Sequence, residues 1–175
     1  MSSILDRICN IGITTKIRII SLLLLLIPVY FFTIGDFYGS GFQAPFFRYQ
    51  EVFLGSFLVF ISNDVYNTIN GFFRGAMISV VILWFLGFFF LVVNSISVFV
   101  DKTEINRIIR RSGILIIISG FFFLFSLIVH YGPLFHNSSG IAIPLGLPLI
   151  FLIGIWMYRW VDHDEKSVHA EQSPE

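Results

Sequence analysis

Asp64, Asn67, Asn70, Arg74, His130 and His136 are the residues of this chain whose types and spacing could do chemistry. With Asn63, the residues Asn67, Asn70 and Arg74 recur at helical spacings, which places them on one face of a helix. Such a face is either a solvated surface or a polar groove suited to a lipid headgroup, an ion or a partner loop. Asp64 could cap that helix. His130 ends an apolar stretch, titrates near neutrality and could exchange a proton with His136 across a turn or with a carboxylate. Asp36, Glu51 and Asp64 supply the carboxylates, but they share no spacing with the histidines. No nucleophile motif, glycine-rich phosphate loop or zinc signature accompanies them, so the chain reads as non-catalytic. No cofactor is expected. Cys9 is the single cysteine, and no apolar segment carries the pair of histidines that a haem would need. Asp162-His163-Asp164-Glu165 reads as a solvated tail, because no second cluster completes a coordination shell.

The elements that must hold these residues are written in the hydropathy. Charged residues make up 13% of the chain, about half the usual share, and none occurs between Arg111 and Arg159. A bilayer accounts for this, since each spanning helix takes about 20 mostly apolar residues. The pattern predicts an all-α integral membrane protein with four transmembrane helices, over 19–38, 75–98, 113–131 and 141–160. Together they form one membrane domain over 1–160, followed by a short acidic cytoplasmic tail over 161–175. Pro28 should kink the first span. A cleaved signal peptide is the alternative for that segment, but its length favours an uncleaved anchor.

The connection between the first two spans is long. Its apolar run, Val52-Phe53-Leu54 and Phe57–Ile61, is too short to cross, so an interfacial or re-entrant helix is expected there. Asp101-Lys102-Thr103-Glu104 has the form of a capping box opening a short surface helix with Arg107, Arg110 and Arg111. Gly71, Gly75 and Ser79 recur every four residues, a spacing that lets helix backbones approach closely. Ser119 and Ser126 could hydrogen-bond across helices or to their own backbone, and Asn94 should lie near an interface where water satisfies it. Asn137-Ser138-Ser139 matches a glycosylation sequon in the last turn.

Arg7, Lys16, Arg18, Lys102, Arg107, Arg110, Arg111, Arg159 and Lys166 fall on one side of this arrangement, and only Arg48 and Arg74 on the other. That bias puts both termini in the cytoplasm of a protein integral to the cell membrane. A formal net charge of +0 and the lack of a basic patch exclude nucleic acid as a partner. The expected partners are the lipid bilayer and either another membrane protein or a second copy. The reading that follows is a small multi-pass subunit, assembly factor or scaffold of a membrane complex. A small transporter or channel component is the first alternative, and a membrane enzyme with an exoplasmic acid/base site is the second.

Overall fold

The computed structural model describes residues 12–35, 38–100 and 104–171, with backbone alone at Thr14 and from 161 to 171. Among these residues the chain is 60% helix and 20% strand, built as five helices and a six-stranded antiparallel sheet. The expectation of an all-α protein with four membrane spans is overturned. Helix α1 (Ile13–Leu23) leads into strands β1 (Tyr30–Ile34), β2 (Gly39–Gln43), β3 (Phe47–Val52) and β4 (Gly55–Phe60). Helices α2 (Ile61–Ile69), α3 (Ala76–Val100) and α4 (Ile105–Tyr131) follow, then β5 (His136–Asn137), β6 (Gly140–Ile143) and α5 (Gly146–Glu171).

The first predicted span fails for a local reason. Pro28 has no N–H and disfavours helix at the residue before it, so the turns after Leu23 loosen through Ile27. Beyond it, Tyr30-Phe31-Phe32-Thr33-Ile34 is aromatic and β-branched, a composition that suits a pleated surface as well as a lipid one. The fourth segment divides in the same way. Gly140–Ile143 is strand, Pro148 sits in the first turn of α5, where its missing N–H costs nothing, and the apolar part of that helix spans Gly146–Trp160. Among the described residues two helices are long and apolar enough to cross a membrane, α3 and α4. Only 22% of the most apolar window of α3 and 44% of that of α4 is buried within the chain, so most of their apolar surface faces outward.

Among the described residues the long connection is a β-meander closed by the short helix α2, and no helix spans Val52–Phe60, where an interfacial or re-entrant one is expected. The run expected to lie in the interface forms the β3–β4 hairpin, with Phe53 and Leu54 at its turn. The sheet order is β4-β3-β2-β1-β6-β5. Strand β1 is the junction, pairing with β2 from Tyr30↔Gln43 to Ile34↔Gly39 and with β6 at Phe31↔Ile143 and Phe32↔Ala142. Bonds just outside the ladders extend the seam. Val29 donates its N–H to Gln43 O at 2.7 Å, and Gly146 donates to Val29 O at 3.0 Å. Gly140 is required there: its φ is +132°, and a Cβ would collide with the Thr33 carbonyl.

In the helix layer, α3 and α4 pack antiparallel, with α5 against α4 and α1 beside the second half of α3. The contacts are close because small residues sit at them. Phe123 lies over Gly87, and a Cβ on Gly113 would come within 2.7 Å of Gly154 O and Tyr158 N. The serines do bond across helices: Ser119 Oγ donates to Gly87 O at 2.8 Å and Ser126 Oγ to Val80 O at 3.0 Å. Asn94 departs from expectation. It is fully buried, donating Nδ2 to Ser21 Oγ at 3.1 Å, while Ser95 Oγ donates to Ser21 O. The arginines after Glu104 belong to α4 itself and not to a separate surface helix. Asp101, Lys102, Thr103 and Asp36 lie outside the described residues, as do Arg7 and Cys9.

Gly71 and Gly75 do not pack helices. Both lie in the turn between α2 and α3 with φ of +74° and +60°, and a Cβ on either would meet nothing within 4 Å. Ser79 is exposed in the first turns of α3. Close approach falls instead to Gly87, Gly113 and Gly154. Asparagine tolerates left-handed backbone, so Gly71→Asn should change stability by less than about 0.5 kcal/mol. Gly113→Asn should cost more than about 2 kcal/mol by forcing α4 and α5 apart. Thermal unfolding in detergent, followed by circular dichroism, ranks the two.

A candidate site beneath the sheet

The sheet's inner face, the second helix and the upper turns of α3 and α4 enclose a cavity of about 480 Å³. Alternation along the strands sends Tyr30 and Phe32 of β1, Gln43 of β2, and Arg48 and Gln50 of β3 to this side. Helix α2 contributes Ile61 and Asp64, and α3 contributes Met77, Val80, Val81 and Trp84. His130 and Tyr131 come from the last turn of α4, and Ser138 and Ser139 from the β5–β6 turn.

Its polar centre is one ion pair. Arg48 Nη2 donates to Asp64 Oδ1 at 3.3 Å, with the two side chains 26% and 12% exposed. The pair ties β3 to α2, reinforced by Ile61 N donating to Phe46 O at 3.1 Å. Arg48 Nε is buried with no acceptor among the described residues. Burial pushes the Asp64 carboxyl above its ordinary range, and the Arg48 charge offsets this only in part. Burial likewise pushes the Tyr30 phenol well up, with Tyr131 beside it adding to the shift. The Arg48 charge acts on every one of Tyr30, Asp64, His130 and Tyr131.

An aromatic floor closes the space towards the helices. Tyr30 meets Trp84 edge-on at 5.6 Å and Tyr131 at 6.0 Å, and Trp84 lies 4.4 Å from Phe123. Trp84 Nε1 donates to Pro45 O at 3.2 Å, which locks the indole against the β2–β3 turn.

Of the residues singled out from the sequence, Asp64 and His130 reach this cavity, and no ion pair joins them. Asn67 caps the end of α2 through its carbonyl, which accepts from Phe72 N at 2.9 Å. Asn70 is exposed and folds its amide back onto Tyr66 O, and Arg74 is exposed on the turn before α3. The polar face inferred from their spacing does not form, because α2 ends at Ile69. His136 is exposed on β5, and Asn137 Nδ2 donates to His130 O at 2.7 Å, fastening that turn. Glu51 faces the other side of the sheet. Among the described residues no three His, Cys, Asp or Glu side chains gather as a metal site would require. Sequence reading missed Arg48, Tyr30, Gln50 and Trp84. Alternation in Arg48-Tyr49-Gln50-Glu51 was the available signal, masked by the apolar run that follows.

Removing one member of a buried pair leaves the other uncompensated, so Arg48→Met should cost about 2 kcal/mol. Adding Asp64→Asn to that variant should restore part of the loss, as denaturation of the single and double variants would measure. Asp64 alone also gives a pH signature. Its folded-state value is raised, so folded protein holds a proton that unfolded protein has released. Stability should therefore fall as pH rises from the ordinary carboxylate range through the raised value. In Asp64→Asn that part of the slope should vanish, as melting temperatures recorded across acidic pH would reveal.

No protein-family model matches the chain, and no curated protein matches its sequence.

Proposed function

We propose that this protein is a non-catalytic subunit or scaffold of a membrane complex, which offers the outer face of its sheet to another membrane protein. The observation that carries this reading is a row of apolar side chains crossing the sheet. The pairings Ile143↔Phe31, Phe31↔Phe42, Phe42↔Tyr49 and Tyr49↔Leu58 align them on the face opposite the cavity. Ile143, Phe31 and Leu58 are exposed, and the row flanks a shallow groove of about 410 Å³. Contiguous apolar surface of this kind marks an interaction site.

The row ends on β4, an unpaired edge. Strands at sheet edges are normally blunted by lysine, proline or a bulge. Gly55-Ser56-Phe57-Leu58-Val59-Phe60 has none of the first two, and all of its six ladder positions pair in register with β3. Phe53 and Leu54 at the hairpin turn are 99% and 87% exposed. An added strand from a partner would satisfy the free backbone groups and cover this surface together.

The same geometry supports a membrane placement. The outward apolar surface of α3 and α4 suits hydrocarbon. Lys16, Arg18, Arg107, Arg110, Arg111 and Arg159 stand at the end of the helix layer away from the sheet, and Arg18 packs over Phe99 and Arg110 over Tyr158. The charge bias supports a cell-membrane protein with that basic end in the cytoplasm and the sheet outside.

Placed in a Cys9→Ser background, Ser56→Cys should react with a membrane-impermeant maleimide on intact cells, while Arg107→Cys should react only after permeabilisation. The reverse pattern would overturn the orientation. Leu58→Lys should leave the melting temperature within the range of ordinary surface changes. It should also remove at least about 90% of any protein that copurifies in mild detergent, since a desolvated lysine at an interface centre costs at least about tenfold in affinity. A wild-type chain that purifies from native membranes as a partnerless monomer would sink the proposal.

A further inference from the structure

The cavity beneath the sheet is divided in a way that specifies a ligand. Its upper wall, the inner face of the strands, presents Arg48, Gln43 and Gln50 beside Phe32 and Ile34, while its lower wall, the first turns of α3, presents Met77, Val80 and Val81. Arg48 spends one nitrogen on Asp64, and its Nε is buried with no acceptor among the described residues. A buried guanidinium N–H without a partner costs free energy, which an incoming oxygen would recover. The opposite wall has nothing to offer a polar ligand except apolar contact. A volume of about 480 Å³ falls within the range of small-molecule sites, and such sites are largely apolar with a few convergent polar groups.

We propose that this cavity binds a single-chain amphiphile, its oxyanion head on Arg48 and its hydrocarbon chain along Met77, Val80 and Val81. The head is held by Arg48 Nε with the Gln50 amide as a second donor. Carboxylate and phosphate heads share this chemistry, and the chain separates both from free anions. The placement favours a molecule already in the bilayer, because α3 is one of the two helices apolar enough to cross it. Trp84 on the floor of the cavity would lie near the chain and report its arrival.

The test uses the full-length chain in phosphatidylcholine nanodiscs, with Trp156→Phe and Trp160→Phe leaving Trp84 as the sole tryptophan. Dibromostearic acid is titrated as quencher, with dibromostearyl alcohol, sodium acetate and inorganic phosphate as the comparison probes. Saturable quenching by the acid, at least about tenfold weaker for the alcohol, is expected, since a charge-assisted hydrogen bond separates the two. Arg48→Gln should abolish the preference of acid over alcohol. Val81→Phe, which fills the apolar end and leaves the ion pair intact, should abolish saturable quenching by both while the circular dichroism spectrum is retained. Acetate and phosphate should not displace the acid. The proposal is overturned by quenching that never saturates, by equal binding of acid and alcohol, or by binding that survives Val81→Phe. Displacement by acetate or phosphate would also overturn it, because the site would then take a free anion. None of these outcomes bears on the outer face of the sheet, so the scaffold reading stands or falls separately.

Discussion

The pairing of β1 on both of its edges is the constraint on which the rest of this molecule depends. On one side it joins the meander that follows it directly, and on the other it joins β6, which arrives between α4 and α5. That seam places the two halves of the chain over one another and so creates the space beneath the sheet. Without β6, the last turn of α4 would carry His130 and Tyr131 beside a sheet that had no reason to stay above them. Thr33 strengthens the join through its side chain, accepting from Ile141 N at 3.1 Å, and Gly35 N donates to Ser139 O. Antiparallel ladders of only a few residues hold because each is flanked by a bond of this kind.

In the helix layer several buried polar groups find partners within the chain, while Asn94 Oδ1 and Ser112 Oγ have none among the described residues. Ser119 and Ser126 spend their hydroxyls on carbonyls of α3, and Ser21, Asn94 and Ser95 form a knot between α1 and α3. Hydroxyl donors of this type add modest energy each, but they fix rotation and register between otherwise featureless apolar surfaces. Glycines do the complementary work, bringing α4 and α5 close enough that backbone meets backbone at Gly113 and Gly154.

Two long helices were legible in the residues because hydropathy and the absence of charge both pointed the same way over more than twenty positions. The bounds of α3 and the end of α4 follow from Arg74, Asp101 and the Gly132-Pro133 break. The sheet was not legible for a physical reason. Phe31, Phe42, Tyr49, Phe57 and Leu58 are apolar whether they face lipid, a partner or a strand neighbour, so hydropathy alone cannot separate a short span from a β-ribbon. Pro28, Pro144 and Pro148 carried the distinguishing information, since each forbids an uninterrupted helix where apolar length alone suggested one. The site was half legible: Asp64 and His130 stood out as ionisable groups beside apolar runs. Arg48 did not, because its role arises only when strand alternation turns it inward to meet a helix sixteen positions later.

Helix α4 runs without proline from Ile105 to Tyr131, about 40 Å at the normal rise per residue. That exceeds a typical hydrocarbon core by roughly two turns of helix. Its arginine-bearing first turns and the residues that floor the cavity are consequently opposite ends of one stiff rod. In a bilayer, a rod of this length would accommodate slabs of different thickness by changing tilt. Because Asn137 fastens the β5–β6 turn to His130 O, any lean of α4 would carry that edge of the sheet along with His130 and Tyr131.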